Sequence, residues 1–280
     1  MSPWKGRSYK SSHRIEAAAD HRLTLSERRL LRWGNREELR NGSRGILLEG
    51  RKLIEEAVQV RHPLEAVWFT AEFSESASDI IRRVENLTSN LHQITAREMR
   101  GISGLETPPG VVAVAVEPKL EFRSAGDSFS LIVAVSMIQD PGNLGGVVRT
   151  CDFFGVDELW LGHGSADPFG PKAVRGGMGA LFRLPMVRVK DLQVRIAEFK
   201  RSGAEVWAAV AHDRKAELEI SHQGPRILMV GGESHGLSKL ELALADRKVH
   251  IPGARRSESL NLAVAAGILI YNATSGRWSS

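Results

Sequence analysis

An apolar run, a turn and a helical pattern follow one another in the stretch LIVAVSMIQDPGNLGGVVRT, residues 131–150. The apolar run 131–135 is typical of a strand that is buried on both faces of a sheet. Pro141 and Gly142 turn the chain, and Asn143 is suited to cap the helix that follows. The stretch therefore predicts a strand, a tight turn and a helix, which together form the repeating unit of a parallel α/β sheet.

The same alternation continues towards the C-terminus. Further apolar segments predict strands at 158–161, 205–210, 227–230 and 249–251, and helical patterns occupy 143–154, 192–201, 238–245 and 260–272. Continuous apolar strands between amphipathic helices favour an α/β fold with a mainly parallel sheet that is covered on both faces. Such a sheet binds ligands in the loops beyond the carboxyl ends of its strands.

A smaller α/β unit precedes this sheet. Its expected elements are a helix around Leu53 to Val58, a strand at 64–70, a helix at 79–87 and a buried strand at 111–116. The polar stretch 118–130 is the best candidate for a linker. Thr24 and Glu27 form a capping-box pattern that predicts a short basic helix ending near Gly34. We therefore divide the chain into an arm with a short helix (1–40), a small unit (41–117), a linker (118–130) and a larger domain (131–275).

The composition excludes several classes of protein. Of the 280 residues, 42% are hydrophobic and 25% are charged, which is typical of globular proteins. The longest largely apolar stretch, 262–271, is shorter than the roughly 20 residues of a membrane span, and no signal peptide is recognisable. The single cysteine, Cys151, excludes an internal disulfide and a zinc site with several thiolates. We expect a cytoplasmic protein without a membrane contact or a metal.

The positive charge is concentrated at the N-terminus. Residues 1–50 hold 11 Lys/Arg and 6 Asp/Glu, whereas the other 230 residues hold 27 of each. A basic arm on a neutral body is suited to contact the phosphates of a nucleic acid. A solvated tail without a partner is an equally good interpretation of this feature alone.

Three loops that follow strands carry the polar residues of interest. In the first, Gly145 and Arg149 share a helix face, so a ligand could approach the bare Gly145 within reach of Arg149, and the free amides of the helix start suit an anion. The second runs from Gly231 to Leu237 and contains Glu233 and His235. The third loop includes Ser259 and Asn261. Taken singly, a solvated arginine, a surface histidine and a capping serine explain these residues better than catalysis does.

Taken together, the three loops resemble the three motifs of the SpoU/TrmH family of RNA 2'-O-ribose methyltransferases, which belongs to the SPOUT superfamily. The motif residues, in order and spacing, are Asn143-x-Gly145-x-x-x-Arg149-Thr150, Gly231-x-Glu233-x-x-Gly236-Leu237, and Ile251-Pro252 followed by Ser259-Leu260-Asn261. Further segments similar to the family are 48–50 with 55–57, 106–110 and 168–185. The resemblance covers residues 40–274 and leaves out only the basic arm.

The resemblance implies an architecture that hydrophobic periodicity alone does not predict. The larger domain would be a SPOUT domain with a deep trefoil knot, which forms a homodimer and binds S-adenosylmethionine in the knotted loops. The smaller unit would be a substrate-binding domain of the L30e or L7Ae type. A separate RNA-binding domain favours ribosomal RNA over transfer RNA as the substrate. A non-catalytic RNA-binding or ribosome-assembly factor with the same fold, and an unrelated nucleotide-dependent enzyme, are the alternatives.

The resemblance also implies roles for individual residues. The cofactor would be held by Gly231, Ile251 and Leu260, largely through backbone groups. The catalytic and substrate positions would be Asn143, Arg149, Glu233, Ser259 and Asn261, with Asn143 orienting Arg149. In the family mechanism the arginine activates the ribose 2'-hydroxyl. Because the pKa of arginine lies above 12, phosphate anchoring and alkoxide stabilisation are at least equally good roles for Arg149.

Several positions depart from the pattern of the family. Cys151 stands where alanine is frequent, and Ala263 stands where serine is frequent. Gly253 and Arg255 replace a common methionine and glycine, which changes the rim expected for the cofactor pocket. Arg255 and Arg256 are instead candidates for contact with RNA phosphates.

Overall fold

A computed structural model describes residues 23–24, 31, 44–211, 216, 219–220, 223–253 and 260–277. The basic arm, most of the helix predicted after Thr24, and the stretch 254–259 with Arg255, Arg256 and Ser259 lie outside these residues. The described residues form two sheets, which the sequence pattern predicts as a small and a large α/β unit. In this part of the chain no helix has the length and apolar character needed to cross a membrane.

The N-terminal sheet has four strands in the order β1-β4-β2-β3. The strands are β1 (Gly45–Glu49), β2 (Leu64–Phe69), β3 (Leu91–Gln93) and β4 (Val111–Val116). β4 pairs antiparallel with β1 and β2, whereas β2 and β3 are parallel. The helices of this unit are α1 (Arg51–Gln59), α2 (Ala71–Ser76), α3 (Ser78–Val84) and α4 (Ala96–Ile102). The predicted apolar stripe of α1 is buried, as Leu53, Ile54, Ala57 and Val58 show.

The C-terminal sheet has six strands in the order β10-β8-β9-β5-β6-β7, and every pairing is parallel. The strands are β5 (Leu131–Val135), β6 (Glu158–Gly162), β7 (Met186–Val189), β8 (Glu205–Ala209), β9 (Arg226–Val230) and β10 (Arg247–Val249). β5 lies at the centre, with Val133 opposite Leu159 on one side and Leu228 on the other. The predicted parallel sheet is confirmed.

Helices cover both faces of this sheet. They are α5 (Pro141–Phe153), α6 (Pro171–Gly177), α7 (Leu192–Arg201), α8 (Lys239–Leu244) and α9 (Leu262–Thr274), and a 3-10 turn at Met178–Phe182 follows α6 directly. Leu131, Val133 and Val135 pack with the layer of α5, α6 and α9. Ile132 and Ala134 face α7 on the other side. Alternate residues of β5 thus enter two different cores, which explains why its sequence is apolar throughout.

The structure corrects three predicted boundaries. Asp140 caps α5, because Pro141 occupies the first helical position and the Asp140 carboxylate accepts the amide of Asn143. Asn261 caps α9, whereas the sequence pattern indicates Ser259 as the capping residue. β10 ends at Val249, two residues before its predicted end. The residue before Pro252 is biased towards an extended backbone, which imitates a strand in the sequence pattern.

The polar stretch 118–130 is bonded to the C-terminal sheet. The amide of Arg123 donates to Glu158 at 2.8 Å, and its guanidinium bonds to Asp157. Arg195 donates to the carbonyl of Arg123 at 2.9 Å and lies over the ring of Trp160. The segment that connects the two units is therefore held against the C-terminal sheet by hydrogen bonds. The trefoil knot stays a prediction.

Candidate active site

Loops at the carboxyl end of the central sheet bring three predicted residues together. Asn143 lies on the first turn of α5 after β5, Glu233 follows β9, and Asn261 caps α9 after β10. β5 and β9 are neighbours in a parallel sheet, so their carboxyl ends meet at one edge. Residues that are 90 and 118 positions apart in sequence are thereby in contact.

Asn143 joins the other two side chains. Its Nδ2 donates to Glu233 Oε1 at 3.0 Å, and its Oδ1 accepts from Asn261 Nδ2 at 2.9 Å. Asn261 Oδ1 accepts the amides of Ala263 and Val264 at the start of α9. Each amide group thus uses both its donor and its acceptor, which fixes the orientation of both asparagines. The network ties the three motif loops into one unit.

Glu233 is held in its ionised form. Burial opposes its ionisation, but hydrogen bonds from Asn143 and from the amides of Gln139 and Asp140 outweigh burial and lower the pKa of Glu233. A carboxylate with a lowered pKa stabilises the native state above its unfolded pKa and loses this effect as pH falls through the native pKa. The network is therefore complete at neutral pH.

The start of α5 does not offer free amides to an anion, contrary to the sequence prediction. Asp140 Oδ1 accepts the amide of Asn143 at 2.8 Å, and Glu233 Oε2 accepts the amide of Gln139 at 3.0 Å. Lys172 of α6 then bonds to Asp140 Oδ2 at 2.7 Å. Two carboxylates of the protein occupy the place where an external anion was expected.

Gly145 faces α6 and not a ligand, which is a second correction. A Cβ at Gly145 would lie 2.7 Å from the carbonyl oxygen of Ala173 and 2.8 Å from Cα of Gly176. The missing side chain allows two helix backbones to touch. The sequence predicts a ligand at Gly145, whereas the backbone that approaches Gly145 belongs to α6.

Arg149 lies on the exposed surface of α5. Its guanidinium makes no hydrogen bond or ion pair with any residue that the structure describes. Asn143 bonds to Glu233 and Asn261 and not to Arg149. The predicted contact between Asn143 and Arg149 is therefore not formed. Arg149 presents a cation with five unused donors to an external partner.

The predicted cofactor positions border the same edge of the sheet. Gly231 leads into a turn that is closed by a bridge between Gly232 and Gly236. Gly236 has a φ of 64°, and a side chain at Gly231 would meet the backbone of Gly236. The backbone groups of Ile251 and Leu260 have no partner in the described ranges, and Leu260 is 47% exposed. Open backbone groups beside apolar side chains fit a neutral heterocycle such as adenine.

Three further residues that the sequence analysis singled out, His235, Cys151 and Ala263, contribute no side chain to the hydrogen-bonded network. His235 is exposed on the Gly232–Gly236 turn, and the described residues offer it no hydrogen bond. Cys151 is buried in α5, and burial raises the pKa of its thiol, so it is a core residue. Ala263 lies under Gly146, with 3.3 Å between its Cβ and the position of a Cβ on Gly146. No cluster of metal-ligating side chains occurs among the residues described.

Sequence reasoning missed Asp140 and Lys172, which hold the start of α5. Asp140 precedes a proline at the end of a strand, and this is a recognisable capping signal. Lys172 carries no local signal, because its partner lies 32 residues away and on another helix.

Two family models match the sequence. The model of the SpoU rRNA Methylase family matches residues 130–271, and the model of the MRM3-like substrate binding domain matches residues 29–113. The first range contains all eight site residues named above, and the second covers most of the N-terminal sheet.

Individual proteins are similar over most of the chain. A 23S rRNA (guanosine(2553)-2'-O)-methyltransferase, RlmP of Bacillus subtilis, is 30% identical over 81% of this chain and 87% of its own. The SpoU methyltransferase AviRb from Streptomyces viridochromogenes, solved in complex with the cofactor AdoMet, has a TM-score of 0.72 and 26% identity over 91% of this chain and 98% of its own. An AdoMet-bound rRNA methyltransferase from Sinorhizobium meliloti has a TM-score of 0.74 and 25% identity, covering 91% of this chain and 97% of its own.

Proposed function

Because the chain belongs to the SpoU rRNA methylase family, we propose that it methylates a ribose 2'-hydroxyl of ribosomal RNA with S-adenosylmethionine as the methyl donor. The observation that carries this proposal is the hydrogen-bonded network of Asn143, Glu233 and Asn261 beside an unpaired Arg149. The presence of all five motif residues, Asn143, Arg149, Glu233, Ser259 and Asn261, argues against the non-catalytic alternative. The rRNA substrate of the Bacillus subtilis relative supports ribosomal over transfer RNA.

The cofactor would lie against the loops that follow β9 and β10. We assign Gly231, Ile251 and Leu260 to it, since their backbone groups and apolar side chains suit an adenosine moiety. The sulfonium methyl group supplies the electrophile when the cofactor is bound. The network around Asn143 keeps the three loops in place and so fixes the positions of these backbone groups.

Arg149 would act on the RNA. The 2'-hydroxyl is a weak nucleophile, and its oxygen gains negative charge as its proton leaves. A guanidinium at this oxygen stabilises the charge, and its remaining donors can hold a neighbouring phosphate. We assign Ser259 and Asn261 to the ribose side of the site.

We also propose that the protein is a homodimer. The side chains of Val264, Ile268 and Tyr271 form one exposed face of α9, and each is more than 40% exposed. Phe153 of α5 is 77% exposed, and its ring packs against Phe154, which in turn contacts Tyr271. A continuous apolar face of this kind marks an interaction surface. A second copy of the chain is the partner that the family resemblance favours.

The basic arm would add affinity for RNA through phosphate contacts. The ribosomal substrate and the single cysteine support a cytoplasmic location. Transfer RNA is the second candidate substrate, and a non-catalytic assembly factor is the second candidate function.

The test is transfer of labelled methyl from S-adenosylmethionine to unmodified ribosomal and transfer RNA pools, followed by nucleoside analysis. We expect a labelled 2'-O-methylnucleoside from the ribosomal pool. Arg149→Ala should lower the transfer at least about 100-fold and leave cofactor binding within about twofold. Arg201→Ala is the matched control, because Arg201 is an exposed arginine of α7 that bonds within its own helix.

The other results separate the alternatives. Label in the transfer RNA pool alone would show that the substrate is transfer RNA and not ribosomal RNA. Cofactor binding without methyl transfer to any RNA or assembly intermediate would favour the non-catalytic factor. Equal loss of transfer and cofactor binding in Arg149→Ala would contradict the role of Arg149.

A further inference from the structure

Three family-like segments that the proposed chemistry does not use meet between the two units of the protein. The segment 48–50 belongs to the end of β1, the segment 106–110 lies between α4 and β4, and the segment 168–185 contains α6 and the 3-10 turn. Apart from Lys172, which holds the start of α5, none of them contributes a side chain to the site described above. Their contacts lie where the N-terminal sheet packs against the layer of α5 and α6.

Glu49 is the buried centre of this junction. Its side chain is only 2% exposed, and its Oε1 accepts from Ser103 Oγ at 3.1 Å and from the amide of Gly104 at 2.9 Å. Its Oε2 accepts from Arg175 Nη1 of α6 at 3.0 Å. A buried carboxylate requires a charged partner, and here the partner comes from the other unit. The Glu49–Arg175 pair therefore couples β1 to α6.

Arg183 forms a second bridge and reaches α5. Its Nη1 donates to Glu56 Oε2 of α1 at 2.7 Å, and its Nη2 donates to Asp152 Oδ2 of α5 at 2.8 Å. The Nε of Arg183 also bonds to Asp152, so this contact is bidentate. Asp152 lies three residues after Arg149. One guanidinium thus connects the N-terminal unit to the helix that carries Arg149.

The junction leaves little freedom of movement. Glu56 lies so close to Gly179 that a side chain at Gly179 would overlap its carboxylate. The ring of His62 packs on Phe182 with 4.6 Å between the centroids. Partly exposed ion pairs are weak by themselves, but these pairs surround a core cluster that contains residues of both units. Close packing together with two bridges favours a single orientation.

The junction also contacts α5, the helix that carries Arg149. Arg175 is followed by Gly176 and Gly177, which pack against Gly145 of α5. Arg149 lies one turn beyond Gly145 on the same helix. A shift of the N-terminal unit would therefore be transmitted to α5 through α6 as well as through Asp152.

We propose that Glu49, Glu56, Arg175 and Arg183 are positioning residues that hold the N-terminal unit in one orientation over α5 and thereby select which ribose of a bound RNA reaches Arg149. The selection of the ribose rests on the proposed function, whereas the fixed orientation does not. An RNA bound to a rigid unit presents one nucleotide at a set distance from α5, and a loosened unit presents several.

The first test measures orientation without activity. Spin labels are attached at Ser89→Cys and Ser202→Cys, one exposed site in each unit. Cys151 stays unlabelled because it is buried and the pKa of its thiol is raised. Labelled chains are diluted with unlabelled ones so that pulsed dipolar spectroscopy reports distances within one protomer. The intact protein should give one narrow distance distribution.

Two matched double variants are compared. Glu56→Ala with Arg175→Ala removes one ion pair from each bridge between the units, and we expect its distance distribution to become at least twice as wide. Glu55→Ala with Arg247→Ala removes the same charges, but its ion pairs join Arg51 to Glu55 and Arg247 to Glu205 within single units. The control should keep the narrow distribution. Arg183→Lys, which keeps the charge, is the milder variant if the double variant does not fold.

The second test maps the methylated nucleotides of ribosomal RNA by mass spectrometry. The intact protein and the control should modify one nucleotide. The test variant should bind S-adenosylmethionine within twofold of the intact protein, lose at least tenfold in kcat/KM for RNA, and place methyl groups on neighbouring nucleotides. A general loss of stability would lower the rate without spreading the modification.

Each result has one meaning. An unchanged distance distribution in the test variant, or in Arg183→Lys where the double variant does not fold, would overturn the fixed orientation. A widened distribution with methylation still at one nucleotide would overturn the selection of the ribose. Absence of methyl transfer by the intact protein would contradict the proposed function, and the spectroscopic result would still decide the orientation.

Discussion

At the scale of single residues, Asn143 has different hydrogen-bond partners from the one that the family resemblance implies. Its amide donates to Glu233 and accepts from Asn261, so it joins loops from three strands. All three residues were identified through the resemblance of their loops to the three motifs of the family, and each loop follows a buried strand. The sequence could not identify the partners, since hydrogen bonds between distant loops depend on the order of the strands in the sheet.

This geometry predicts an unusual pH dependence for Asn143→Asp. The new carboxylate would lie within hydrogen-bond distance of Glu233, and two adjacent carboxylates share one proton because the second ionisation is unfavourable. At lower pH the shared proton restores a hydrogen bond, and at higher pH the two charges repel each other. The rate of methyl transfer relative to the wild type should therefore fall as pH rises, by about tenfold for about 1.4 kcal/mol of repulsion.

Single-turnover transfer at pH 6 and pH 8 measures this ratio. Asn143→Ala is the control, since it removes the same hydrogen bonds without adding a charge and should give a ratio that does not depend on pH. A constant ratio for Asn143→Asp would mean that residues 143 and 233 are not in contact during the reaction.

At the scale of elements, the sequence misses one strand of the larger sheet, β7, and one helix that covers the sheet, α6. The strands β5, β6 and β9 are continuous apolar runs, because both of their faces are buried. α6 and the 3-10 turn were missed, since the run Gly176-Gly177-Met178-Gly179 has no apolar periodicity. These glycines are explained by contacts with α5 and α1, which lie far away in sequence.

The contact between α5 and α6 predicts the effect of a side chain at Gly145. In Gly145→Ala the new Cβ would overlap the backbone of Ala173 and Gly176, and a backbone cannot move aside as a flexible side chain can. We expect the free energy of unfolding to fall by about 1–3 kcal/mol, which denaturant titration measures.

Gly101→Ala is the matched control for this substitution. Gly101 lies inside α4 with open space around the position of its Cβ, so alanine should stabilise the helix by up to about 1 kcal/mol. Equal effects of the two substitutions would show that helix propensity, and not the contact between the helices, decides the result at Gly145.

At the scale of the whole molecule, the sequence predicts two α/β units but not how they meet. The ion pair between Glu49 and Arg175 joins residues 126 positions apart, and no local pattern indicates such a pair. A second contact of α9 is easier to predict from the sequence, because residues 262–271 are largely apolar. An amphipathic helix on a sheet needs one apolar face, so apolar residues on the other face predict a second contact.

That second contact leads to a prediction about assembly. Ile268 lies at the centre of the exposed face of α9, between Val264 and Tyr271, and it is 43% exposed. If this face joins two copies of the chain, Ile268→Glu would bury an unpaired carboxylate at the interface, at a cost of about 3 kcal/mol. The dissociation constant of the dimer should then rise about 100-fold, as measured by analytical ultracentrifugation.

Val194→Glu tests whether the effect is specific to that face. Val194 is 63% exposed on α7, which covers the opposite face of the sheet, so a glutamate there should leave the dimer unchanged. A monomeric wild type, or a dimer that tolerates Ile268→Glu, would show that α9 does not form the interface. If Ile268→Glu gives a folded monomer that binds cofactor but transfers no methyl group, the site requires both subunits, because α9 begins at Asn261 of the catalytic network.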